Sequence, residues 1–230
     1  MPKPLRVEVS PQQSTTAIVY PAAAKHRAGV ALILGHGAGQ TSDFMKSFAV
    51  GLATRGIDVL TFNFLYREQG RRIPDPNDRL EACWRTVINA VRARITSDGD
   101  ALAIGGKSMG GRIASQVAAA GIGGLAGLVF LGYPLHPPGR PDRLRSQYLS
   151  AIKVPMLFVQ GSRDPFGTPE ELRPITSSLK PAADLYVVEG GDHSFKVRKG
   201  TGVSQEDVYR AIQDHIAARL REAAAVMKAR

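Results

Sequence analysis

Residues 101–111, ALAIGGKSMGG, constrain the fold most. The first four are an apolar run long enough for a buried strand. Gly106-Lys107-Ser108-Met109-Gly110 follows and fits the pattern G-x-S-x-G. Residues 112–120, rich in alanine and other apolar side chains, then read as a helix. Strand, sharp turn and helix in that order give the motif a mechanical meaning. The turn forces the central serine into a strained backbone conformation. Only glycine-sized neighbours at Gly106 and Gly110 let strand and helix approach so closely. The Ser108 hydroxyl is then held out at the carboxyl edge of a sheet, beside the first free amides of a helix, which suit a developing negative charge. Taken alone, the pattern also fits a glycine-rich turn with an incidental serine. Its weight depends on partners elsewhere in the chain.

The remaining sequence alternates strand and helix signals. Residues 5–9 and 16–20 read as an opening antiparallel pair. Residues 30–34, 57–62 and 125–131 read as apolar, buried strands, and 154–160 and 183–188 as the strands that follow. Helices are expected at 43–55, 77–95, a short stretch near 143–151, 169–179, and from Ser204 to about Val226. Ser42 or Asp43, Thr168 ahead of Pro169, and Ser204 with Asp207 supply start signals. Pro174 should disturb its helix. Leu80, Trp84, Val87, Ile88, Val91 and Ile95 fall on one face at helical period. Asp98-Gly99 turns the chain into the central strand. The alternation implies a mostly parallel sheet with helices on both faces. Ligands bind beyond the carboxyl ends of the strands in such sheets. With no repeat, low-complexity tract or linker, one domain is expected over residues 1–230.

Of 230 residues, 43% are hydrophobic, enough for a sizeable core. The single cysteine, Cys83, excludes an internal disulfide and a cysteine-built metal cage. It lies on the apolar side of a helical pattern, so buried packing is expected. Lys and Arg outnumber Asp and Glu by 30 to 20, a net charge of +10. A balance of this kind can signal nucleic acid. Here the basic residues are dispersed, so no nucleic-acid partner is expected. The densest patches, residues 67–72 and 196–199, read as solvated surface or as attraction for anionic substrates. No apolar run approaches the roughly 20 residues of a membrane helix. The opening MPKPLRVEVS lacks the apolar core of a secretory signal, so a cytoplasmic location is expected.

A serine hydroxyl needs a base to take its proton, and that base needs an orienting carboxylate. Asp164, in Gly-Ser-Arg-Asp-Pro, and His193, in Gly-Gly-Asp-His-Ser-Phe, each directly follow a strand. Serine, then acid, then histidine is the chain order that accompanies a strand–turn–helix serine. Asp192 is the alternative acid, although its place beside His193 points it away from the imidazole. Asp184 sits at the wrong end of its strand. Gly35-His36-Gly37-Ala38-Gly39 is a glycine-rich loop after a buried strand, where a second oxyanion donor would sit. His36 could act as a base or brace that loop. His136 could touch substrate or serve a structural role between prolines. His26 and His215 read as surface residues. No histidine and carboxylate set has metal-ligand spacing, and the glycine loops lack phosphate or dinucleotide signatures, so neither metal nor cofactor is expected.

Over nearly its whole length the chain resembles the α/β-hydrolases. Gly35-His36-Gly37-Ala38-Gly39, Gly106-Lys107-Ser108-Met109-Gly110-Gly111, Tyr133-Pro134-Leu135-His136-Pro137-Pro138-Gly139 and Gly191-Asp192-His193-Ser194 resemble a narrower branch. It is the testis-expressed protein 30 and NSL-complex-subunit-like group, akin to dienelactone hydrolases. The resemblance implies Ser108 as nucleophile, His193 as base and acid, Asp164 as orienting carboxylate, and the Ala38 and Met109 amides as oxyanion hole. Dienelactone hydrolases of the usual type carry a cysteine nucleophile, where this chain has serine. Residues 134–153 leave room for little more than one crossover helix, so an open site without a lid is expected. Arg67, Arg71, Arg72, Lys107, Arg140 and Arg163 fall in or near the loops at the active edge, which raises the hypothesis of an anionic substrate. His36, Arg67, Lys107 and His136 are the candidate substrate contacts. The expected function is hydrolysis of a small-molecule ester, thioester or lactone through an acyl-serine. The alternative is a catalytically silent binding subunit of the same fold.

Overall fold

Each fully apolar run becomes a strand covered on both faces, as its lack of alternation requires. The computed structural model describes residues 1–23, 27–95, 100–198, 200 and 202–228. Eight strands, β1 (Lys3–Ser10), β2 (Gln13–Tyr20), β3 (Val30–His36), β4 (Asp58–Phe62), β5 (Ala101–Lys107), β6 (Gly127–Leu131), β7 (Met156–Gly161) and β8 (Asp184–Val188), form one sheet. Their order is β1-β2-β4-β3-β5-β6-β7-β8. The β1–β2 and β2–β4 pairs are antiparallel; the other pairs are parallel. The chain therefore winds one way from β3 to β4 and the other way from β5 onward. The crevice beyond the ends of β3 and β5 is the switch point, where open sheets of this kind place their ligands.

Helices α1 (Asp43–Thr54) and α6 (Gln205–Lys228) cover one face. Helices α3 (Asn77–Ile95), α4 (Met109–Ala119) and α5 (Pro169–Ser178) cover the other. Leu80, Trp84, Val87, Ile88 and Val91 are all buried on α3, as their spacing predicts. Cys83 is buried beside them, and burial pushes its thiol up to about 12, so it is an inert packing group. Ser42 caps α1 by accepting from the Met45 amide. Thr168 and Glu171 form a reciprocal capping box on α5. That helix continues through Pro174 to Ser178, so the expected disturbance does not end it. Ser204 Oγ accepts from the Asp207 amide and donates to its carboxylate at the start of α6.

Two expectations change. Residues 63–72, read as a loop, contain the short helix α2 (Leu65–Glu68). The helix expected near 143–151 is reduced to a 3-10 turn at Leu149–Ala151. Too few residues remain there to offset helix nucleation. The segment is instead held by Tyr133, whose hydroxyl meets Tyr148 Oη at 2.8 Å and donates to the Arg145 carbonyl. Residues 132–155 therefore carry no lid among the described residues. His26 and the Asp98-Gly99 turn lie outside the described residues.

Candidate active site

The site begins with a steric demand. Strand β5 lies beside β3, with Gly106 opposite Gly35 and Lys107 opposite His36. Helix α4 starts immediately after and must pass close to the end of β3. A Cβ on Gly110 would lie 1.9 Å from the Gly35 carbonyl oxygen, and one on Gly106 2.2 Å from it. The two glycines of the motif are thus spacers against a neighbouring backbone. Between them Ser108 has φ 53° and ψ −122°, a conformation costing a side-chain-bearing residue about 1–3 kcal/mol. Ser108 N-caps α4 by position, yet its side chain makes no capping bond. The hydroxyl is free to face the crevice.

Ser108 Oγ lies 2.9 Å from His193 Nε2, and His193 Nδ1 lies 2.7 Å from Asp164 Oδ2. The three loops after β5, β7 and β8 thus meet in one hydrogen-bonded chain. Asp164 is buried, so its charge must be satisfied by directed donors. Oδ1 accepts the Phe166 amide at 2.9 Å, and Oδ2 accepts Gln160 Nε2 at 2.8 Å as well as the imidazole. The Phe166 ring covers His193, with centroids 4.3 Å apart. The His193 side chain keeps 20% of its surface exposed, so the imidazole can reach solvent while its carboxylate partner cannot.

Asp192, the alternative acid, is occupied elsewhere. Its Oδ1 accepts the amides of Ser194 and Lys196 at 2.8 and 2.9 Å, which shapes the turn that presents His193. Phe195, at φ 63°, completes that turn and is buried against Phe44 and Phe48. Asp184 pairs with His215 and Arg219 at the start of β8. His215 is half-buried and sits in a side-chain cluster at the surface, its ring tilted against Tyr186.

Three of the four candidate substrate contacts belong to the scaffold. Lys107 is 3% exposed, and its ammonium donates to the His193 carbonyl at 2.6 Å. Burial lowers it to about 8 against the opposing pull of Asp164 and Asp192. The period-two alternation of β5 turns this side chain inward, toward Phe44 and Phe195. His136 is also buried; its Nδ1 meets the Pro137 carbonyl at 2.9 Å and its Nε2 faces Glu171. His36 is partly buried beside Ser42, with Nδ1 3.3 Å from Oγ. Burial first, then the Lys107 charge, lowers it to about 4, so it is a neutral brace near pH 7. Arg67 stays at the rim: a Cβ on Gly39 would lie 3.6 Å from its Nε.

Three other rim arginines are engaged, while Arg72 is exposed. Arg71 pairs with Asp75, Arg140 with Asp142, and Arg163 donates to the Gly190 carbonyl. The loop after β3 packs directly against the start of α4, since a Cβ on Gly37 would lie 3.2 Å from Met109 Cε. Met109 opens that helix, so its N–H belongs to the unpaired first turn.

Gln160 is the residue the sequence reading passed over. It is wholly buried at the end of β7. Its Oε1 accepts the Tyr133 amide, and its Nε2 donates to Asp164 and to the Gly167 carbonyl at 2.8 and 2.7 Å. A glutamine in the otherwise apolar strand MLFVQG was the available signal. In chemical terms, the assembled groups can deprotonate a hydroxyl, hold the resulting imidazolium against a carboxylate, and return the proton.

The family described as alpha/beta hydrolase domain matches residues 28–221. Similar solved structures include an esterase domain from a Rhodothermus marinus protein, at 14% identity and TM-score 0.72, covering 96% of this chain and 98% of that one. A lidless α/β serine hydrolase from Xanthomonas campestris aligns at 20% identity and TM-score 0.70, covering 96% and 93%. Dienelactone hydrolase from Anabaena variabilis aligns at 17% identity and TM-score 0.72, covering 96% and 98%. At these identities the likeness shows a shared fold.

Proposed function

This chain belongs to the alpha/beta hydrolase family, and from that premise we propose that it is a serine hydrolase cleaving carboxylic esters, thioesters or lactones. The observation that carries the reading is the unbroken chain from Ser108 Oγ through His193 to Asp164, at 2.9 and 2.7 Å. Ser108 Oγ attacks the carbonyl carbon while His193 Nε2 takes its proton. The Ala38 and Met109 amides hold the oxyanion; one such donor is worth about 10²–10³ in turnover. Collapse of the tetrahedral intermediate breaks the bond to the leaving group, which departs with the proton from His193. Water then adds to the acyl-serine, again through His193, and releases the acid and free Ser108. Asp164 stays ionised and holds the imidazole in its working tautomer.

We further assign the chain, on the four motifs quoted above, to the branch resembling testis-expressed protein 30 and NSL-complex subunits. Lys107, Arg71, Arg140 and Arg163 are engaged within the protein; Arg67, whose hydrogen bond to the Arg71 carbonyl is long at 3.5 Å, and the exposed Arg72 are left to carry the anionic-substrate hypothesis. The test is a serine-directed phosphonate probe with an ester screen. Labelling and turnover of the wild type, both absent in Ser108→Ala, are expected. A wild type that is neither labelled nor active would favour a silent binding subunit instead.

A further inference from the structure

The loop that leaves β3 is pinned at three points. The Gly39 amide donates to the His36 carbonyl at 3.2 Å, and the Gln40 amide donates to Asn63 Oδ1 at 2.9 Å. Between them, the Tyr66 hydroxyl donates to the Gly37 carbonyl. Tyr66 lies in α2, the element hidden within what reads as a polar and aromatic loop. It is 1% exposed. Its amide donates to Asp75 Oδ2 at 3.0 Å, and its ring stacks on Phe64. The phenol is therefore fixed before any ligand arrives. Burial raises it above its ordinary value, which keeps it a protonated donor at physiological pH.

The carbonyl of Gly37 and the N–H of Ala38 belong to one peptide unit. Cis bonds among the described residues are confined to Lys180-Pro181, so this peptide is trans. In a planar trans peptide the C=O and N–H point in opposite directions. A donor that captures the Gly37 oxygen on one side therefore directs the Ala38 N–H to the other. Gly37 itself sits between the Tyr66 phenol and Met109: a Cβ there would lie 3.4 Å from the phenol oxygen and 3.2 Å from Met109 Cε. Gly37 leaves the carbonyl side of this peptide unrestrained and Ala38 restrains only the other side, so a donor outside the loop adds to an aim that the loop sets in part.

We propose that Tyr66 is a positioning residue for oxyanion stabilisation, aiming the Ala38 N–H by holding the Gly37 carbonyl. This rests on the serine-hydrolase reading above and on the assignment of Ala38 as a donor. Asn63 supports the far side of the same loop through the Gln40 amide. Preorganised donors stabilise charge because they need no reorientation at the moment it appears. A freed peptide would spend part of its time turned away. The defect should fall on the transition state and spare ground-state binding.

Tyr66→Phe tests this, because the ring stays in the core and only the hydroxyl is lost. On an ester the wild type cleaves, kcat should fall roughly 10- to 100-fold, part of what a whole oxyanion donor contributes. KM should stay within about twofold, as expected when uniform binding is untouched. An aryl boronic acid, which mimics the tetrahedral intermediate on Ser108, should lose affinity in parallel with kcat/KM. The melting midpoint of each variant reports any general loss of structure. A folded Tyr66→Phe enzyme with kcat within twofold of an active wild type would overturn the inference and leave the hydrolase reading standing. A parallel rise in KM with unchanged kcat would also overturn it. A wild type with neither ester turnover nor phosphonate labelling would remove the underlying reading and this inference with it.

Discussion

Gln160 Nε2 and His193 Nδ1 converge on a single oxygen, Asp164 Oδ2, at 2.8 and 2.7 Å. The amide thus fixes which face of the carboxylate meets the imidazole. Gln160→Leu removes that constraint and leaves the Tyr133 amide and Gly167 carbonyl without their partner. The variant should lose about 1–3 kcal/mol of stability, the cost of orphaned buried polar groups. Urea denaturation measures that loss. Ester kinetics on the folded fraction should show a lower kcat with little change in KM. An unchanged kcat would mean that Asp164 is held adequately by the Phe166 amide alone.

Asp164→Asn should leave the hydrogen-bonded geometry nearly intact while favouring the wrong imidazole tautomer. On the proposed mechanism, turnover should fall roughly 10⁴-fold. Asp192→Asn should cost far less, because that carboxylate serves two backbone amides of the turn. Steady-state rates for the pair decide the assignment. Equal losses would contradict it.

Lys107 gives a pH signature. Its folded value is lowered to about 8 from an ordinary 10.5, chiefly by burial. Between those values the unfolded chain binds a proton that the folded chain does not, so stability from this group rises with pH. Below pH 8 the penalty is fully present, at about 3 kcal/mol for a shift of this size. Compared with Lys107→Met, the wild type should therefore gain stability between pH 8 and 10.5. Denaturant titrations of both proteins at pH 7 and 10.5 check this. A gap that stays constant, or moves the other way, would contradict the burial argument.

Gly110→Ala places a Cβ against the Gly35 backbone, where no flexible side chain can yield. It should cost more than about 3 kcal/mol, the range of severe overpacking. Gly123→Ala is the control, since its Cβ would meet nothing within 4 Å. Paired urea melts separate the two. Similar midpoints would show that the strand and helix can separate without loss.

Arg67 is the rim cation beside the Gly39 turn; it reaches the Arg71 carbonyl at 3.5 Å and makes no ion pair among the described residues. Arg67→Gln should lower kcat/KM for esters with a carboxylate on the acyl chain about two- to fivefold, the scale of an exposed charge pair. Neutral esters should be unaffected, and the discrimination should fade with salt. Equal effects on both ester types would remove the anionic-substrate hypothesis.

The strands and the motif loops were legible because buried parallel strands are written as continuous apolar runs. Each run here stops at the loop that carries the chemistry. Ser108, Asp164 and His193 stood out because each follows such a run directly. The direction of Lys107 was not legible from composition, since charge suggests solvent. Only its register in β5, beside His36 and under the His193 carbonyl, turns it inward. The role of Gln160 depends on Tyr133 and Gly167, which come together only when β6 and β7 pair. Helix α2 has four residues, too few for a period to show.

The bare crossing from β6 to β7 also bears on how such a catalyst would work. With no lid in that crossing among the described residues, turnover would have no opening or closing of it to wait for. An ester borne on a bulky carrier, such as a polysaccharide or the side chain of another protein, would find no roof in that crossing to exclude it.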